Sequence, residues 1–228
     1  HNNNYKTYAA WRDFDGVSGD YRVWSSDDGL LLSDMAYGPR STDTLTLENQ
    51  SAYSSGTPTT LALDGTLELE GIVLDAGTML QGKGNELAVG SGDITGTGTI
   101  NLDDGGISVG TSGTATLDTE TLSGTGTLTK TRAGTLVLGS DYAVKTAVND
   151  GALRISDGVT ITGNTSVKDG GTLEGEGSIL GDISVASGGT VSPGLSAGQL
   201  EATGTVTFDA GSLLEMELAG SGDYDVLN

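Results

Sequence analysis

Cysteine is absent from the 228 residues, which excludes a disulfide framework and a cysteine-based zinc site. Histidine occurs once, as His1, and is read as a tag remnant rather than a functional group. A Ser-His relay therefore has no base in the sequence, and no Gly-x-Ser-x-Gly elbow is present, so a protease or esterase centre is not expected. Proline is limited to 3 residues while glycine reaches 38. With no three-residue glycine period, that balance argues against collagen and against a Pro/Gly-rich disordered chain. No apolar run approaches the length of a membrane-spanning helix, and no secretory leader is visible. No capped 3.6-residue apolar pattern marks a long helix. The chain reads as a soluble segment, expected to be cut from a longer protein.

Positive charge is scarce as well. Ten Lys and Arg face 31 Asp and Glu, for a net charge of −21. Such a surface repels phosphates and anionic lipid heads, so no nucleic-acid partner is expected. Its plainest role is to keep a strand-rich chain from associating through its edges. Hydrophobic residues make up 35% of the sequence, enough for a thin core and low for a compact globule.

What is abundant is a repeat. Strand-like units preceded by glycine recur as "GTLEL" from Gly65, "GTINL" from Gly98, "GTATL" from Gly113 and "GTLVL" from Gly134. In the last hundred residues they form two interleaved series. One starts at Gly134, Gly158, Gly181 and Gly204, with steps of 24, 23 and 23. The other starts at Gly151, Gly170, Gly188 and Gly211, with steps of 19, 18 and 23. Units this short cannot bury their own apolar face, so a period near 20 residues points to a solenoid whose coils stack. Stacking in register predicts one column from Leu136, Ile161, Ile183 and Val206, and another from Leu153, Leu173, Val191 and Leu213. Asp-Gly pairs such as Asp150-Gly151 and Asp169-Gly170 keep a hairpin-built barrel open as the alternative.

The stretch "GTGTLTKTRAGTLVLGSDYAVKTAVNDGALRI" from Gly124 resembles the repeat of passenger domains in Gram-negative autotransporters. That repeat reads Gly-Thr-Leu-x-Lys-x-Gly-x-Gly-Thr-Leu-x-Leu, then a turn containing Tyr, then a Gly-x-Leu strand. Gly126, Leu128, Lys130, Gly134, Leu136, Leu138, Tyr142, Gly151 and Leu153 match. Two positions depart: Arg132 stands where Gly is usual, and "AVKT" replaces the Gly-Gly-Thr after Tyr142. The "GGTVSPG" turn and the "GSLLEMEL" strand before "GDYDVL" are similar to the carboxy-terminal portion of such passengers. The resemblance implies an all-β fold, a right-handed parallel β-helix, with the outer membrane reached only through a carboxy-terminal barrel that this chain lacks. It further implies a location at the cell surface or in the medium of a Gram-negative bacterium. The helix is expected over residues 54–228, with around eight coils.

Residues 1–53 break the pattern. They hold Tyr5, Tyr8, Trp11, Phe14, Tyr21, Trp24, Tyr37 and Tyr53, eight of the 11 aromatics. Bulky aromatics suit an amino-terminal cap or irregular first coils, because a solenoid needs its open end covered. The alternative is a recognition surface. Aromatics beside charged groups stack on sugars and pair with proteins, which makes Trp11, Arg12, Tyr21, Arg22, Trp24 and Tyr37 the candidate contact residues. A remnant of an upstream catalytic domain is the third reading.

Parallel β-helices also host carbohydrate-active enzymes built on paired carboxylates. Acidic residues are so plentiful here, Asp103, Asp104, Glu174 and Glu176 among them, that no pair stands out. The calcium-binding nonapeptide and EF-hand spacings are missing, and neither a metal nor a cofactor is expected. The expected function is a rod-like adhesin or self-association module, partnered by a host glycan, a host protein or another copy of itself. A non-catalytic stalk that supports secretion of an enzyme-bearing passenger is the second reading, and a carbohydrate-active β-helix the third.

Overall fold

The computed structural model describes residues 8–12, 20–25, 30–34, 39–49, 59–220 and 222–228. Among them the chain is all-β, apart from one 3-10 turn at Leu32–Asp34. Nearly every strand pairs in parallel with the strand one coil earlier and one coil later. This is the parallel solenoid that the repeat predicts, and not a hairpin barrel. Antiparallel pairing between strands is confined, among the described residues, to Tyr8–Arg12 with Asp20–Ser25 and to Leu218–Gly220 with Asp223–Tyr224, with one isolated antiparallel bridge between Gly175 and Gly194.

Each regular coil has three faces. An eleven-stranded sheet runs the length of the rod, and an eight-stranded sheet forms the second face. The third face is interrupted. It consists of a five-stranded sheet that ends at Thr121–Ser123 and a four-stranded sheet that begins at Thr160–Ile161. Strand pairing reaches well into the first 53 residues. Asp20–Ser25 pairs with Thr44–Leu47 in the long sheet, and Leu30–Leu31 pairs with Thr60–Ala62 in the five-stranded one.

Alternation explains the core. Within a strand, side chains point alternately in and out, and Thr127–Thr131 or Thr135–Leu138 bury every second residue. Stacking then turns each inward position into a column. In the long sheet Leu136, Leu153, Leu173, Val191 and Leu214 are successive partners. The predicted second column is therefore right through Val191, but its next member is Leu214, not Leu213. The predicted first column is not a column. Leu136 lies in the long sheet, Ile161 in the four-stranded sheet, and Ile183 with Val206 in the eight-stranded sheet. Two glycine-headed series suggested two strands per coil. The coil has three, so one series samples more than one face.

The predicted Asp-Gly pairs serve as corners. Gly151, Gly158 and Gly170 adopt positive φ there, at 69°, 75° and 80°, a region open to Gly without a Cβ penalty. At the carboxy-terminal end, Val206–Phe208 and Leu213–Leu214 pair on one side only. Phe208, Leu213 and Leu214 are consequently exposed, at 38%, 50% and 41%.

Candidate functional site

Five of the six candidate contact residues lie on one antiparallel pair. The register sets Trp11 opposite Arg22, Arg12 opposite Tyr21, and Ala9 opposite Trp24. On its other edge the strand continues into the long sheet, where Tyr21 stands beside Leu45 and Val23 beside Leu47. Val23 is buried. Because positions alternate along a strand, Arg22 and Trp24 occupy the register positions that alternate with Val23. Tyr37 lies outside the described residues. The backbone thus brings together four residues that the sequence separates by up to eleven positions, Trp11 and Arg12 with Tyr21 and Arg22.

A second cluster of functional groups sits in the motif that carries the family resemblance. Lys130 is completely buried. Its aliphatic stem takes an inward position between Val109 and Val148, and its ammonium reaches the corner beyond the strand. There Nζ donates to the carbonyls of Thr131 at 2.9 Å, Arg132 at 2.6 Å and Asp150 at 3.1 Å. Three donors thus meet three acceptors, which is what makes a buried ammonium tolerable. Burial nonetheless pulls the Lys130 pKa below the ordinary lysine value, with the Asp150 charge opposing. Arg132 adopts a left-handed backbone, φ 63°, which is the physical reason that Gly is usual at this place in the repeat. Its guanidinium Nη1 donates to the Gly110 carbonyl of the preceding coil at 3.2 Å.

Tyr142 is the counterpart on the interrupted face. Its ring is buried, its hydroxyl donates to the Leu117 carbonyl at 3.0 Å, and it accepts from the Thr119 amide at 3.1 Å. Burial first, and the nearby Asp118 charge last, raise its pKa above the ordinary tyrosine value, while the hydrogen bond from the Thr119 amide opposes the rise. Sequence reasoning marked Lys130 and Tyr142 as motif positions but missed their burial. The available signal was alternation: Lys130 falls at the inward parity of Leu128.

Asp103 accepts from the Lys83 amide and from Asn101 Nδ2. Glu174 is paired with Arg154 of the preceding coil, Oε1 to Nη2 2.7 Å. That pair lines an open groove of about 430 Å³ together with Leu195, Glu215, Met216 and Asp225. Asp225 is the buried member, and it holds the two walls together by accepting from the Gly198 and Glu217 amides. Among the described residues no group of three His, Cys, Asp or Glu is arranged to hold a metal ion.

Known proteins with similar sequence come from two Gram-negative bacteria. Over 106 residues, 46% of this chain, the sequence is 41% identical to an extracellular serine protease of Serratia marcescens. Over 124 residues, 53% of this chain, it is 40% identical to the adhesin BmaC autotransporter of Brucella suis. The chain is similar to autotransporter passengers. The matched stretches span only 10% and 3% of these relatives' own lengths. No family model and no solved structure matches. The similarity and the solenoid together bear out the resemblance read from the repeat, and with it a location at the cell surface or in the medium.

Proposed function

We propose that this chain is a rod-like part of an autotransporter passenger that works as an adhesin or self-association module. Residues 54–228 are the rod in this reading, and residues 1–53 are its cap or irregular first coils. Contact with a host glycan, a host protein or another copy is made through Trp11, Arg12, Tyr21, Arg22 and Trp24, with Tyr37. The observation that carries the reading is the register that sets Trp11 opposite Arg22 and Arg12 opposite Tyr21. Planar aromatic and guanidinium groups on adjacent strands suit stacking on sugars and pairing with proteins. Similarity to a protein named an adhesin supports it.

The test is display of residues 1–228 on non-adherent bacteria, scored for settling and for binding to a glycan and matrix-protein panel. Binding or clumping that is lost in Trp11→Ala, Arg22→Ala or Trp24→Ala is the expected result. Display without binding or clumping overturns the adhesin reading. It then favours a second one, a non-catalytic stalk, which the similarity to an extracellular protease supports.

A further inference from the structure

The interrupted face divides the rod. One half carries the five-stranded sheet and the other the four-stranded sheet. Between Thr121–Ser123 and Thr160–Ile161 that face has no strand, and the pair Tyr142 and Ala143 crosses the gap. Tyr142 makes an isolated parallel bridge to Ile161, and the amide of Ala143 reaches back to the Leu122 carbonyl at 3.4 Å. The coil here is also short. In the long sheet the step from Leu138 to Ile155 is 17 residues, whereas Ile94 to Leu117 is 23 and Leu117 to Leu138 is 21.

Stability in a solenoid is close to a sum of coil terms and nearest-neighbour interface terms. A rod unfolds as one unit only while every interface is strong enough to pass cooperativity along. The interface around residues 124–150 lacks one of its three ladders, so it is where the rod should divide. Two side chains concentrated there span it. Lys130 bonds forward to Asp150, and the Tyr142 hydroxyl bonds back to Leu117 and Thr119, whereas Arg132 bonds to Gly110 within the amino-terminal half. The Lys130 and Tyr142 bonds tie the coils on either side of the gap through main-chain carbonyls and one amide. The buried Lys130 ammonium also makes the tie all-or-none, because it is fully partnered only when its own corner and the Asp150 coil are both in place.

We propose that Lys130 and Tyr142 form a latch that couples the two halves of the rod into one cooperative unit. The latch is a conformational device of the fold, independent of any ligand.

The experiment uses the full 228-residue chain in a urea series. Pulsed hydrogen exchange is read by mass spectrometry on peptides from residues 60–123 and from residues 160–202. In the parent protein both sets lose protection at the same urea concentration. In Lys130→Met and in Tyr142→Phe the two midpoints separate. In Ile179→Val, a truncation in the four-stranded sheet away from the latch, both midpoints fall together. Midpoints that stay coincident in both latch variants overturn the proposal, and so do midpoints that already differ in the parent protein. Tyr142→Phe removes a single oxygen and decides the matter alone if Lys130→Met yields no folded protein.

Discussion

Lys130 stands between Val109 and Val148 in a column that continues through Val89 on one side and Val167 on the other. An ammonium thus occupies a place where every neighbour along the stack is a buried valine. The position tolerates it because the stem is apolar, while the charged end leaves the column at the corner and finds three carbonyls. The same column logic governs how the rest of the rod responds to change.

Leu136 is fully buried between Ala115 and Leu153 of the adjacent coils. It lies within the strand Thr135–Leu138, and an aspartate there lacks the long apolar stem by which Lys130 carries its charge to a corner. Leu136→Asp places an unpaired carboxylate there and should destabilise the rod by about 3 kcal/mol or more. Urea unfolding followed by circular dichroism measures it. Parent-like stability in this variant would mean that the column is wrongly assigned.

Two glycines separate close packing from simple patterning. A Cβ at Gly126 would run into the Gly105 carbonyl oxygen of the preceding coil, whereas a Cβ at Gly113 meets nothing within 4 Å. Gly126→Ala forces a backbone shift and should cost about 2 kcal/mol or more. Gly113→Ala should stay within about 0.5 kcal/mol of the parent. Thermal unfolding of the two variants side by side gives the comparison, although both glycines open the same Gly-Thr unit in sequence.

Tyr142 makes stability fall in alkali. Its folded pKa is raised above the ordinary value of 10.0, so over that interval the unfolded chain has lost a proton that the folded rod keeps. Stability from this group is therefore complete below about pH 10 and is lost as pH climbs through the raised value. Lys130 contributes with the opposite sign, because its pKa is lowered on folding, and that contribution is common to parent and variant. Urea midpoints between about pH 8 and pH 11.5 should decline less steeply for Tyr142→Phe than for the parent. Equal slopes would mean that the Tyr142 phenol ionises alike in both states.

The solenoid was legible because glycine-headed strands repeat at a spacing that stacking demands. The column of Leu153, Leu173 and Val191 could be read directly, since the three come from strands that begin Gly-Ala-Leu or Gly-Gly-Thr. The column assigned to Leu136, Ile161 and Ile183 failed because sequence spacing gives the length of a coil but not the number of its faces. Lys130 was hidden by its chemistry, since a lysine in a Thr-rich strand reads as a solvated residue until its parity is compared with Leu128. Arg132 was noticed as a departure from Gly, and the left-handed backbone that makes Gly usual there appears only in the structure. For Trp11, Arg12, Tyr21, Arg22 and Trp24 composition gave the candidates. Their juxtaposition depends on the antiparallel register, which no local pattern encodes.

Parallel stacking also fixes how the rod bears load. Its interstrand hydrogen bonds lie along the long axis, so tension applied to the two ends peels coils away one after another instead of shearing a whole sheet at once. Each coil of about 20 residues that peels off releases roughly 70 Å of extended chain. Under such a pull the rod yields gradually and lengthens as each coil leaves its end.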